Sequence, residues 1–206
     1  MRENVFKKLL LVMLVVTWSR MIPQSLALAQ VPFPTRPVYL WVMWPPGGIA
    51  DISARTIAET AEKSLGQKIV VINKPGGGGT VGTSLLAKEK PDGYTLGISA
   101  DTPITRAPQM MDLEYDPFQD FTFIVRAMIM NSDIAVRADS PFRKWEDVVD
   151  WAKKHPGQLV YGHIGKGTSL HLVMVRAAKR AGFTYNDVPF TGDTPTISAL
   201  LGGHVM

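Results

Sequence analysis

The 206-residue chain contains no cysteine, which excludes a disulfide framework, a thiolate metal site, a cysteine nucleophile and a lipid-anchored N-terminal cysteine. Charge is also sparse, at 19% of residues, yet Val, Ile, Leu and Ala are plentiful enough to argue for a packed core over disorder. The N-terminal apolar run, Leu9–Val16, falls well short of the roughly 20 residues that cross a bilayer. Catalytic signatures are missing too: there is no G-x-S-x-G elbow and no H-E-x-x-H. The four histidines, His155, His163, His171 and His204, stand at no metal-ligand spacing.

The N-terminus is separable from the rest. Arg2, Lys7 and Lys8 precede the apolar run, and Ala27–Ala29 offers a small-x-small site before Gln30. This is the pattern of a cleaved export signal over residues 1–29, with an uncleaved amphipathic anchor as the alternative. That segment holds four basic residues (Arg2, Lys7, Lys8, Arg20) and one acid (Glu3), so the remainder keeps 18 basic and 17 acidic side chains. With no basic stripe left, nucleic acid is not an expected partner.

After a Pro-rich lead-in (31–37), similar units follow one another. Val38–Trp44 is a continuous apolar run bounded by Pro-Pro, which predicts a strand buried on both faces. Asp51 opens a helix whose apolar stripe is Ile57, Ala61 and Leu65, and Gly66 stops it. Lys68–Ile72 reads as a strand, followed by the tetraglycine Gly76–Gly79, a helix over Val81–Glu89 and a strand over Tyr94–Ser99. The tetraglycine lacks the ending of a P-loop and any dinucleotide pattern, and reads best as a tight turn that exposes backbone. Strands alternating with helices predict βαβ crossovers and a mainly parallel α/β sheet. An irregular stretch from Asp101 to Asp120 leads to two predicted strands, Phe121–Ile129 and Asp133–Ala138. A helix near Trp145–His155 and the strand Gln158–Ile164 follow, and two further strand–turn–helix units then repeat the opening design. A break near residue 130 divides a first lobe (30–130) from a second (131–206).

In such sheets ligands bind where strands turn into helices, because free N–H groups and the helix dipole favour an anion there. Three turns qualify: Pro46-Gly47-Gly48-Ile49-Ala50-Asp51, Gly165-Lys166-Gly167-Thr168-Ser169 and Thr191-Gly192-Asp193-Thr194. Each is equally readable as an ordinary helix start capped by Asp51, Thr168 or Thr194. Trp41 and Trp44 offer a ligand platform or, more simply, a buried strand end. Ser169 and His171 suggest a hydrolase, but no carboxylate to orient the histidine is evident.

Six segments carry a family resemblance. "YLWVMWPPGGIADISAR", "QKIVVINKPGGGGTVG", "KPDGYTLGIS", "YDPFQDFTFI", "GQLVYGHIGKGTSLHL" and "VPFTGDTPTISALLGGHV" resemble, in order, segments of the substrate-binding receptors of tripartite tricarboxylate transporters. These are the Bug-type extracytoplasmic solute-binding proteins. The resemblance runs from about Pro34 to Val205. It implies a two-lobed periplasmic-binding-protein-like (type II) clamshell that captures a small di- or tricarboxylate and passes it to membrane permease subunits. It further implies a periplasmic monomer with no cofactor, no metal and no enzymatic activity. Carried over by position, it points to Gly47, Gly48 and Asp51 in the first lobe and to Gly165, Gly167, Thr168, Ser169 and His171 in the second. Flanking Ile49 and Ala50, then Asp101 and Thr102 after the third strand, join the candidates, as do Gly192, Asp193 and Thr194. Where the family commonly has Tyr-Lys-Gly, this chain has Phe190-Thr191-Gly192. Family members are also longer, so the expectation is a C-terminally truncated chain whose second lobe and closing part of the first are incomplete. A non-binding remnant is the alternative expectation.

Overall fold

In the computed structural model residues 32–206 are described, and the expected export signal lies outside the described residues. The first strand, β1 (Val38–Val42), buries Val38, Leu40 and Val42. It is not buried on both faces: Tyr39 points away and is 38% exposed. Although β1 is central, its second face is only partly covered. The helix α1 (Ile49–Leu65) follows, then β2 (Ile69–Asn73), a 3-10 turn over Gly77–Gly79, α2 (Thr80–Ala87) and β3 (Thr95–Ile98). β1 pairs in parallel with β2, from Val38 opposite Ile69 to Val42 opposite Asn73. It also pairs in parallel with β3, from Tyr39 opposite Thr95 to Val42 opposite Ile98, giving the order β2-β1-β3.

α1 starts two residues before the predicted Asp51, at Gly48 as N-cap, and ends where Gly66 adopts the left-handed conformation and bonds back to Glu62 O at 2.9 Å. The predicted apolar stripe is displaced. The helix buries Ala50, Asp51, Ala54 and Ala58, while Ile57 and Leu65 are exposed. Small residues let the helix lie close to the sheet, and close approach outweighs bulk in choosing the face.

The predicted strands Phe121–Ile129 and Asp133–Ala138 do not form. The chain there is irregular, and Phe123, Ile124, Val125 and Ile129 are exposed. Apolar β-formers become a strand only where a neighbour takes their N–H and C=O groups, and among the described residues none does.

Beyond this segment stand α3 (Trp145–Lys154), β4 (Val160–His163), α4 (Ser169–Ala181), β5 (Asn186–Pro189) and α5 (Asp193–Leu201). β4 and β5 are parallel, from Val160 opposite Asn186 to His163 opposite Pro189. Met206 N donates to Val160 O at 2.9 Å. Each sheet has its own core: Leu40, Val42, Met43, Trp44, Ala50 and Ala54 in one, and residues including Phe142, Leu159, Tyr161, Met174 and Phe183 in the other. The residues from Pro34 to Met206 nevertheless cluster as one unit.

Candidate functional site

The β1–α1 turn is fastened from below. Asp51, 3% exposed, accepts from Gly47 N at 2.9 Å, from Arg55 Nε and Nη2 at 3.0 Å each, and from Asn73 Nδ2 at 2.9 Å. Burial pushes the Asp51 carboxyl up, but Arg55, the Gly47 N–H and the Asn73 amide together hold it down at about 2. The carboxylate is thus ionised at neutral pH and engaged by the protein. Asn73 also donates to Trp44 O at 2.9 Å, tying the end of β2 to the turn. Gly47 takes φ +81°, which a side chain would strain. No side chain caps α1 at Gly48, and the acid in its first turn, Asp51, is engaged by Gly47, Arg55 and Asn73. Ile49 is half exposed, and Ala50 is buried.

The turn before α5 lies against this one. Thr194 Oγ1 donates to Pro46 O at 3.0 Å. A Cβ on Gly48 would meet Asp193 Oδ2 at 3.0 Å, and one on Gly192 would lie 2.7 Å from Pro45 Cδ. α5 also begins without a side-chain cap, at Gly192.

The turn before α4 is capped, as predicted, by Thr168, whose hydroxyl donates to Gly165 O at 2.6 Å and accepts from His171 N at 3.5 Å. Gly167 N donates to His171 Nδ1 at 3.2 Å. Lys166 is exposed and Ser169 half-buried. This turn meets the tetraglycine: a Cβ on Gly165 would sit 3.3 Å from Gly78 Cα, and one on Gly78 would sit 3.4 Å from the methyls of both Thr102 and Thr168. Thr102 is buried, whereas Asp101 is exposed and pairs with Arg106 Nη2 at 2.5 Å. The buried Trp44 stands between Gly79 and Gly192, whose added Cβ atoms would lie 3.1 and 3.7 Å from its ring. Trp44, two residues past the end of β1, is therefore a buried packing side chain beside the turn.

The structure thus brings the first turn to the third and the second to the tetraglycine and Thr102. Sequence reasoning passed over three participants. Gly78 was visible as part of a tetraglycine, but its target was not. Asn73 could have been found from the parallel register, which sets it beside Val42. Asp187 carried no local signal.

Asp187, on β5, stands beside His163 of β4 and His171 of α4. His163 Nε2 is 2.9 Å from Asp187 Oδ1, His171 Nε2 is 3.8 Å from Oδ2, and the two imidazole centroids are 4.8 Å apart. Spacing along the chain ruled out a ligand set among the histidines alone, but tertiary contact adds the carboxylate. Burial pushes the His163 imidazole down, against the opposing pull of Asp187. The carboxylate missing from the Ser169/His171 reading is therefore present, but among the described residues no hydrogen bond joins Ser169 to His171.

A family profile described as "Tripartite tricarboxylate transporter family receptor" matches residues 53–206. The "UPF0065 protein in gbd 5'region" of Cupriavidus necator is 38% identical over 174 residues, 84% of this chain and 53% of that protein. The chain thus spans about half the length of this relative. Among solved structures, "R. palustris Rpa4515 with adipate" superposes with a TM-score of 0.74 at 30% identity, covering 84% of this chain and 58% of that one. MatC (Rpa3494) from Rhodopseudomonas palustris with bound malate gives 0.70 at 28% identity, covering 84% of this chain and 59% of that one. The fold is that of periplasmic binding proteins, α/β with parallel sheets, and the chain belongs to the tripartite tricarboxylate transporter receptor family.

Proposed function

We propose that this chain is a periplasmic solute-binding receptor that captures a small di- or tricarboxylate for a tripartite transporter. Residues 1–29 serve as its cleaved export signal. Two lobes, 30–130 and 131–206, close on the ligand without making or breaking a bond, and the loaded monomer docks on the membrane permease subunits. The observation that carries this reading is the meeting of two uncapped helix starts, Gly48 of α1 and Gly192 of α5, across the Thr194–Pro46 hydrogen bond. Backbone N–H groups at adjoining helix starts suit a carboxylate, and relatives with adipate and malate support that ligand class.

In this reading Gly47, Gly48, Ile49 and Ala50 offer backbone to one carboxylate, with Asp51 positioning the turn. Gly165, Gly167, Thr168, Ser169 and His171 face the other end, beside Asp101 and Thr102, while Gly192, Asp193 and Thr194 close the third side. Asp193 opposes the charge of its ligand, because its carboxylate lies over Gly48. Asp193→Asn is expected to tighten a dicarboxylate several-fold, since relieving a like charge at a partly exposed position is worth about 1 kcal/mol. Isothermal titration of both proteins would measure this.

The direct test is a thermal melt of the chain against small di- and tricarboxylates. A ligand at a hundredfold excess over its dissociation constant adds about 2.7 kcal/mol if it binds only the folded form. One carboxylate raising the melting temperature supports the proposal. A cooperative melt that none of them moves overturns it.

A further inference from the structure

We infer that His163, His171 and Asp187 form a binding site for a divalent cation of the zinc class, set beneath the Gly165–Thr168 turn. The donor atoms of the three side chains lie within 4.8 Å of one another. Donors around a tetrahedral cation with 2.0–2.1 Å bonds are roughly 3.3 Å apart; here the two oxygens of Asp187 lie 2.9 Å from His163 Nε2 and 3.8 Å from His171 Nε2, so loading draws the side chains together by small rotations.

The strongest indication is an unmet bonding need. The His163 side chain is fully buried. Its Nε2 and Asp187 Oδ1 are both buried, and neither has a hydrogen-bond partner among the described residues. They lie 2.9 Å apart without the alignment of a hydrogen bond. His163 Nδ1 is 2.9 Å from Gly165 O and 3.2 Å from Gly165 N, so its ring proton can sit on Nδ1, donating to the carbonyl, or on Nε2, with Nδ1 accepting from the amide. In the Nδ1-protonated form Nε2 is a bare lone pair facing a carboxylate oxygen, an arrangement that costs free energy unless something electropositive sits between them. Donation of the second ring nitrogen to a backbone carbonyl is also how metal-bound histidines are usually oriented.

His171 approaches from the first turn of α4. Ligation through its Nε2 puts the ring proton on Nδ1 and exchanges the 3.2 Å bond from Gly167 N, so loading also changes the turn above. Two imidazoles and one carboxylate suit zinc, nickel, cobalt or copper ions and give no advantage to magnesium or calcium. His171 and Asp187 are partly exposed, which leaves the remaining coordination position on the solvent side for water or an anion.

The test uses the full chain without an affinity tag, stripped with a chelator, and titrated with Zn²⁺ by calorimetry and with Co²⁺ by visible absorption. One equivalent is expected to bind saturably, at micromolar affinity or tighter. His171→Gln and Asp187→Asn should each weaken binding at least tenfold, whereas His155→Gln and His204→Gln should leave it unchanged. His163→Gln alters a buried group and is interpreted only if its circular dichroism melt stays cooperative, so the outcome is decided by the two partly exposed positions. Absence of a saturable equivalent, or unaltered affinity in both His171→Gln and Asp187→Asn, would overturn the assignment.

Discussion

Asp51→Ala is expected to cost about 3 kcal/mol of stability, the low end of the range for removing one member of a buried ion pair. The low end applies because Arg55 is half exposed and regains water, whereas the Gly47 N–H and the Asn73 amide each lose an acceptor. In Asp51→Asn an amide oxygen remains to accept from one of them, so the loss should be smaller. The pH dependence separates charge from packing. The folded carboxyl titrates at about 2, below its ordinary 3.8, so its contribution is complete above 3.8 and disappears as the pH falls towards 2. That difference amounts to about 2.5 kcal/mol. Urea denaturation at pH 7, 4 and 2.5 should show it in the wild type and not in Asp51→Asn. Parallel losses in both proteins would mean that Asp51 is not the group responsible. Because the carboxylate also holds Gly47, both variants should bind carboxylates more weakly than their residual stability alone would require.

Gly82→Ala should destabilise the protein by about 3 kcal/mol, the upper part of the range for overpacking, and Gly82→Val more. Propensity argues the opposite, since alanine in a helix interior is favoured over glycine by about 1 kcal/mol. Packing decides here. A Cβ at Gly82 of α2 would overlap Met43 Sδ and lie 2.5 Å from Lys74 O. Methionine can move, but Lys74 cannot readily do so, because its N–H donates to Val42 O at 2.7 Å and extends the β1–β2 ladder. A midpoint for Gly82→Ala at or above the wild-type value in a urea titration would show that helix and sheet can separate at little cost.

The elements, their order and their parallel arrangement were legible in the sequence, because apolar runs, glycine stops and Pro-Gly turns act over a few residues. A strand beginning at Val38, the helix stop at Gly66, the Thr168 cap and the three strand-to-helix turns could all be read in this way. Tertiary structure alone decided what depends on residues far apart in the chain. Phe121–Ile129 has the composition of a strand and is not one, since no neighbour completes its ladder. α1 buries its alanines and not Ile57 and Leu65, because the nearness of the sheet rewards small side chains. Thr194 reaches Pro46 across 148 positions, and Asp187 joins two histidines through the β4–β5 register. Local chemistry sets where a chain turns, and only packing sets which turns meet.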